Sequence, residues 1–132
     1  MLPRFLLDTH VVVRWLMESK KLSREQTRSL MEAIRRGEPL ALSAVTLVEL
    51  AVLTSEGRLR ISLDDIFDEL RANPLFRVFP LTYEIASEVA SLGRVLRDPA
   101  DRAIVATARV HRLRLVTSDQ RIIESKLVPV ID

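Results

Sequence analysis

The sequence predicts an α/β fold: helices on both faces of a central, mostly parallel sheet of four to five short strands, in one domain spanning residues 1–132. Three observations carry this prediction. Short, continuous apolar runs recur along the chain and stop at polar residues, the pattern of strands buried on both faces. Helix-length segments separate those runs, and most of them open on Ser, Thr or Asp, the residues that cap helix N-termini. Strands joined through helices need crossover connections, and these make neighbouring strands parallel.

The elements follow in order. A first strand covers about 4–7 and ends at Asp8. Val11 to Met17 reads as a helix that is apolar almost all round and broken by Arg14. Ser23 opens a second helix with a capping box completed by Gln26, and this helix runs to about Arg36, where Gly37 stops it. Leu30 and Ile34 give it a core face. After Pro39, Leu40-Ala41-Leu42 is a short strand and Ser43 caps a third helix, from Ala44 to about Thr54, closed by Gly57. Ser62, with Asp65 at the box position, starts a fourth helix that runs to about Arg71. Asn73-Pro74 is a turn before a strand at 76–79, which Pro80 closes. Thr82 caps a fifth helix to about Ala90, and residues 92–97 carry no clear pattern. Asp98-Pro99 starts a sixth helix that reaches about His111, with proline in the first turn, where its missing N–H costs nothing. A strand at 113–116, a short helix from Gln120 to about Ser125 and a last strand at 127–130 complete the chain.

Composition narrows the function. Hydrophobic residues make up 48% of the chain and mean hydropathy is +0.13. This fits a sheet buried on both faces, and also an apolar surface kept for a partner. The net charge is only +2, but the basic residues are nearly all arginine, the side chain suited to bidentate phosphate contact, so the balance permits nucleic acid without requiring it. With no cysteine there is neither a disulfide framework nor thiol chemistry. Asp8 and His10 interrupt the N-terminal apolar run, which therefore lacks the shape of a signal peptide, and no apolar stretch approaches the ~20 residues that span a bilayer. The expectation is a cytoplasmic protein with no membrane contact.

Four carboxylates stand where chemistry is expected. Asp8 ends the first strand, and the plain alternative is a cap for the helix that follows. Glu49 is the one charge in the apolar stretch from Ala44 to Leu53. A helix apolar all round is buried, and a buried carboxylate needs a partner: an arginine or a metal ion. Asp98 and Asp101 sit at a helix start and could be cap and box acid, or one of them could face the site. Asp119 follows the strand at 113–116 and could cap the short helix after it. In a parallel sheet the strand carboxyl ends share one edge, and helix N-termini begin there. Asp8, Asp101 and Asp119 therefore gather at that edge, with Glu49 about two turns into a helix that starts there. Such a cluster of like charges calls for a cation, and oxygen ligands without cysteine select Mg²⁺ or Mn²⁺. The chemistry implied is metal-assisted phosphodiester hydrolysis.

Taken together, Leu6-Leu7-Asp8-Thr9-His10, Ser43 to Leu50 with Glu49, Asp98-Pro99-Ala100-Asp101-Arg102 and Leu115-Val116-Thr117-Ser118-Asp119 resemble the motifs of PIN-domain ribonucleases, of the kind found as VapC toxins in VapBC toxin–antitoxin pairs. The resemblance covers essentially the whole chain in motif order. It implies a three-layer α/β/α PIN-like fold, acidic ligands at Asp8, Glu49, Asp101 and Asp119, and a supporting hydroxyl at Thr117. It also implies RNA cleavage with Mg²⁺ or Mn²⁺, a homodimer, and silencing by a small VapB-like antitoxin. Ala100 stands where many relatives carry a larger apolar residue, a change of packing and not of chemistry. His10 and His111 are expected to be structural, Trp15 to lie in the core or at a dimer interface, and Arg102 to be either a phosphate contact or a solvated side chain. Two other phosphate enzymes fit less well. A haloacid-dehalogenase-type phosphatase would need a second aspartate where His10 stands. A response-regulator receiver would need a lysine after a late strand, whereas Lys126 precedes the last one. Both leave Glu49 unexplained. A non-catalytic PIN-fold scaffold would have no reason to tolerate the mutual repulsion of four acids.

Overall fold

The computed structural model describes residues 1–132. Five strands, β1 (Phe5–Leu7), β2 (Leu40–Ser43), β3 (Phe76–Phe79), β4 (Arg114–Val116) and β5 (Val130–Ile131), form one sheet. Seven α-helices connect them: α1 (Thr9–Met17), α2 (Arg24–Arg36), α3 (Ala44–Ser55), α4 (Leu63–Ala72), α5 (Tyr83–Ser91), α6 (Pro99–His111) and α7 (Gln120–Ser125). The strand order is β3-β2-β1-β4-β5 and every pairing is parallel. The chain steps from β1 to β2 and β3 on one side, then returns to add β4 and β5 on the other. The direction of winding thus reverses beside β1, and a crevice opens beyond the carboxyl ends of β1 and β4.

The central strand feeds two cores. Phe5 and Leu7 pack on one face with Leu40, Leu42, Val11, Leu30 and Leu50. Leu6 points to the other, with Ala41, Leu115, Ile104, Val105 and Ile122. This alternation follows from the two-residue period of a strand, and it explains why β1 is apolar without a break: both of its faces are covered by helices.

The helix signals work as read, with local differences. Ser23 and Gln26 form a reciprocal capping box. Gly37 and Gly57 end their helices with φ +70°, in the left-handed region that glycine enters without strain. A short 3-10 turn at Ser19–Lys21, not foreseen, links α1 to α2. β4 starts at Arg114 and not at 113, because the Leu113 N–H closes α6 on the Ala108 carbonyl. The last strand forms at Val130–Ile131, not at 127–130. Arg109 Nη1 holds the Leu127 carbonyl at 2.6 Å, and Pro129 has no N–H to give to a ladder.

Two expectations are corrected. Helix α3 is not buried all round. Thr46 and Leu50 face the core, while Val48 is 61% and Val52 48% exposed. Its uniform apolarity marks a covered inner stripe and an apolar outer face. Arg102 is neither a phosphate contact nor a solvated side chain. Its guanidinium donates to the carbonyls of Val89 (2.7 Å), Gly93 (2.6 Å) and Leu96 (2.6 Å). It thereby ties the irregular segment 92–97 and the end of α5 to the first turn of α6, whose position it fixes.

Replacing Arg102 with methionine keeps the stem and removes all three bonds. Hydrogen bonds from a charged donor contribute about 1.5–3 kcal/mol each and are not additive. We expect Arg102→Met to lower the urea-unfolding free energy by about 2 kcal/mol, and Arg102→Lys, which lacks the planar fork, to recover little of it.

Candidate active site

The crevice beyond β1 and β4 is an open cleft of about 510 Å³, lined by Asp8, Glu49, Asp98, Asp101 and Asp119 together with Thr9, His10, Arg58, Arg121 and the apolar side chains of Val13, Leu53 and Leu59. All four acids singled out in the sequence meet there, and Asp98 joins them. They are delivered by β1, α3, the start of α6 and the turn after β4, and all but Asp101 are held by a hydrogen-bond donor.

Asp8 leaves β1 and caps α1, its Oδ1 accepting from the Thr9 N–H at 2.8 Å. Its Oδ2 accepts from Thr117 Oγ1 at 2.8 Å. The carboxylate therefore both caps α1 and lines the cleft, and Asp8 is only 4% exposed. Thr117 is fully buried and also accepts from the Asp119 N–H at 3.1 Å, so one hydroxyl links the acids that follow β1 and β4.

Glu49 has no arginine partner. Thr9 Oγ1 donates to its Oε1 at 2.5 Å and lies 3.0 Å from Thr46 Oγ1. With the single Thr9 proton committed to Glu49, Thr46 donates to Thr9, and a two-hydroxyl relay leads from the buried face of α3 to the carboxylate. Burial, with Asp8 and Asp98 nearby, raises the Glu49 pKa against the pull of the Thr9 bond.

Asp98 is the N-cap of α6, its side chain accepting from the Asp101 N–H at 3.4 Å, but Asp101 returns no bond and faces the cleft. Its side chain is 13% exposed. Burial first, then Asp98, Asp8 and Asp119, push its pKa up to about 7, partly opposed by Arg121. Asp119 caps α7 through the Arg121 N–H at 2.9 Å. Burial alone would raise its pKa, but the bonds from the Arg121 side chain and backbone hold it below the usual carboxylate range.

His10 is a positioning residue. The Ser118 N–H donates to its Nε2 at 2.8 Å, which leaves the ring proton on Nδ1, 3.6 Å from Asp8 Oδ2. Burial lowers its pKa despite the Asp8 charge. Ser118 Oγ in turn accepts from Gln26 Nε2 at 2.9 Å and Arg14 Nη1 at 3.2 Å, so the capping-box glutamine of α2 also braces the loop that carries Asp119. His111 stacks on Phe79, 4.2 Å between ring centroids. Trp15 is half-buried against the core. Thr9, Gln26, Ser118 and Arg121 were given no site role from the sequence. Thr9 and Ser118 lie inside its motifs and Gln26 in its capping box, while Arg121 stands two residues after Asp119 in the first turn of a helix.

No three of these carboxylates converge tightly enough to form a preassembled metal-ligand group. Hydroxyls and Arg121 engage them instead. The donor set is nonetheless all hard oxygen, gathered at one cleft, where burial and then the neighbouring acids raise the pKa of Asp101. These residues fit a hard divalent cation.

The PIN domain family model matches residues 5–126 of the chain. The chain belongs to the PIN domain family. This PIN domain is 33% identical to Ribonuclease VapC22 of Mycobacterium tuberculosis over 118 residues, 89% of this chain and 88% of that protein. Its fold matches FitAcB from Neisseria gonorrhoeae with a TM-score of 0.68 at 24% identity, over 97% of this chain and 96% of that one. It also matches VapBC2 from Rickettsia felis, bound to a DNA fragment from their promoter, with a TM-score of 0.73 at 14% identity, over 98% and 97% of the two chains.

Two outcomes follow from the geometry. The folded protein holds the Asp101 proton up to about pH 7, whereas the unfolded chain releases it near 3.8. The metal-free protein should therefore lose stability as pH rises between those values. Chemical unfolding across that range should show a smaller slope for Asp101→Asn than for the parent. Thr117→Val strips the donor from Asp8 and the acceptor from the Asp119 N–H in a buried position. We expect it to cost about 1–3 kcal/mol, read by urea unfolding, and Thr117→Ser to restore most of that stability.

Proposed function

We propose that the chain is a VapC-type endoribonuclease, the toxin of a toxin–antitoxin pair, which cleaves RNA with Mg²⁺ or Mn²⁺ held by Asp8, Glu49, Asp101 and Asp119. The observation that carries this reading is the meeting of these acids in one open cleft of a PIN domain 33% identical to a ribonuclease. When bound, the cation activates a water molecule and stabilises the charge that develops on the phosphorus oxygens. The chain's own residues set the geometry. Thr117 and the Thr9 N–H orient the two oxygens of Asp8, and Thr9 aims Glu49. Asp98 caps α6 one turn below Asp101, while Asp119 anchors the first turn of α7. Arg58 and Arg121 line the cleft and provide positive charge for a phosphodiester backbone. The cleft is open rather than enclosed, as a polymer substrate requires.

The toxin reading also implies partners: a small VapB-like antitoxin and a second copy of the chain. The exposed apolar face of α3, with Val48 and Val52, supports a surface of this kind. No helix is long and apolar enough to cross a membrane, and a cytoplasmic location fits an RNA substrate.

Asp8→Asn and Glu49→Gln each preserve shape and remove a charge. Both proteins should fold, by circular dichroism, and lose at least about a hundredfold in Mn²⁺-dependent cleavage of RNA, the scale expected when an electrostatic element of an active site is removed. A folded variant that cuts as fast as the parent would remove that residue from the site.

A further inference from the structure

The cleft gathers five carboxylates but has one close cationic partner. Of all lysines and arginines in the chain, only Arg121 approaches any of these acids within 4.0 Å. Its Nη2 lies 3.2 Å from Asp119 Oδ2, its Nε 3.3 Å from Asp119 Oδ1, and Nη2 also reaches Asp101 Oδ2 at 3.8 Å. The Asp119 contacts alone could be an ordinary surface pair within the first turn of α7. The reach to Asp101 is different, because it joins α7 to α6 across the cleft between two residues proposed as metal ligands. Arg58 lines the same cleft, yet its carboxylate partner is Glu56, at 3.6 Å, outside the acid group.

We infer that Arg121 is the resident counter-cation of the cleft: its guanidinium bridges Asp119 and Asp101 in the metal-free protein and gives up that place to a divalent cation. Three features of the site agree. The Arg121 side chain is 75% exposed, so its ion pairs are weak and readily exchanged. Its backbone N–H, not its guanidinium, caps α7 on Asp119 Oδ1, so the helix stays anchored when the side chain leaves. A doubly charged ion gains more from the same carboxylates than a single delocalised charge does. The bridge also accounts for the lack of a preassembled ligand group, since the two acids on the α6 and α7 side already share a cation.

This inference rests on the metal-site reading, and one titration separates the two. Mn²⁺ binding is measured by calorimetry, without RNA, at fixed pH and ionic strength, for the parent, Arg121→Gln, Arg121→Ala and Arg58→Gln. Removing Arg121 should tighten Mn²⁺ binding by roughly two- to fivefold, the factor that an exposed ion pair represents. It should also lower the melting temperature of the metal-free protein, because Asp101 and Asp119 then face each other unscreened. Arg58→Gln removes an equal charge from the same cleft and should change the affinity less. Mn²⁺ affinity that stays the same or weakens in both Arg121 variants overturns the inference while leaving the metal site standing. So does equal tightening in Arg58→Gln, which would mean only a general charge effect. A parent that binds no Mn²⁺ overturns both readings.

Discussion

All five strands run in one direction, and this single constraint dictates where the acids gather. A parallel sheet delivers every strand's carboxyl end to the same edge and starts the following helices there. In this chain, residues that leave β1 and β4, together with the second turn of α3 and the first turn of α6, carry carboxylates to that edge. Because strand order reverses beside β1, the edge opens into a crevice that backbone does not fill. The acids are thus brought together by topology and not by attraction for one another. Their proximity is a cost that the apolar packing on both faces of β1 must offset.

The structure limits that cost by giving each acid a local donor. Asp8 has a backbone N–H and the Thr117 hydroxyl, Glu49 has Thr9, Asp98 has the Asp101 N–H and Asp119 has Arg121. Asp101 is the exception. It is buried beside Asp98, Asp8 and Asp119, and only a distant reach of Arg121 opposes them, so its pKa is pushed up to about 7. The least satisfied carboxylate is also the one that Asp98, Asp8 and Asp119 all repel.

Much of this arrangement was legible in the sequence because it depends on local rules. Caps at Ser23, Ser43, Ser62, Thr82 and Asp98, and stops at Gly37 and Gly57, are set by short-range hydrogen bonding, and they fixed the alternation of strand and helix. The gathering of Asp8, Glu49, Asp101 and Asp119 followed from parallel topology. What the sequence hid are contacts between residues far apart in the chain. The Thr9–Glu49 bond joins α1 to α3, and Gln26 reaches Ser118 across 92 positions. Arg102 finds three carbonyls that no periodicity announces. The exposed face of α3 misled for another reason: apolarity shows that a surface avoids water, not whether its own chain or another covers it.

The bond between Thr117 and Asp8 spans 109 positions, and β1 pairs with β4 across a comparable stretch. During synthesis Asp8 leaves the ribosome early, yet the hydroxyl that orients it is made only after α6 and β4. Loop closure over such a length comes late and slowly, and domains tend to fold as whole units once their strands are available. The last third of the chain carries Asp98, Asp101, Thr117 and Asp119, so the cleft is completed only by its final elements. A partner that meets the chain during translation therefore meets a surface on which these acids have not yet been brought together.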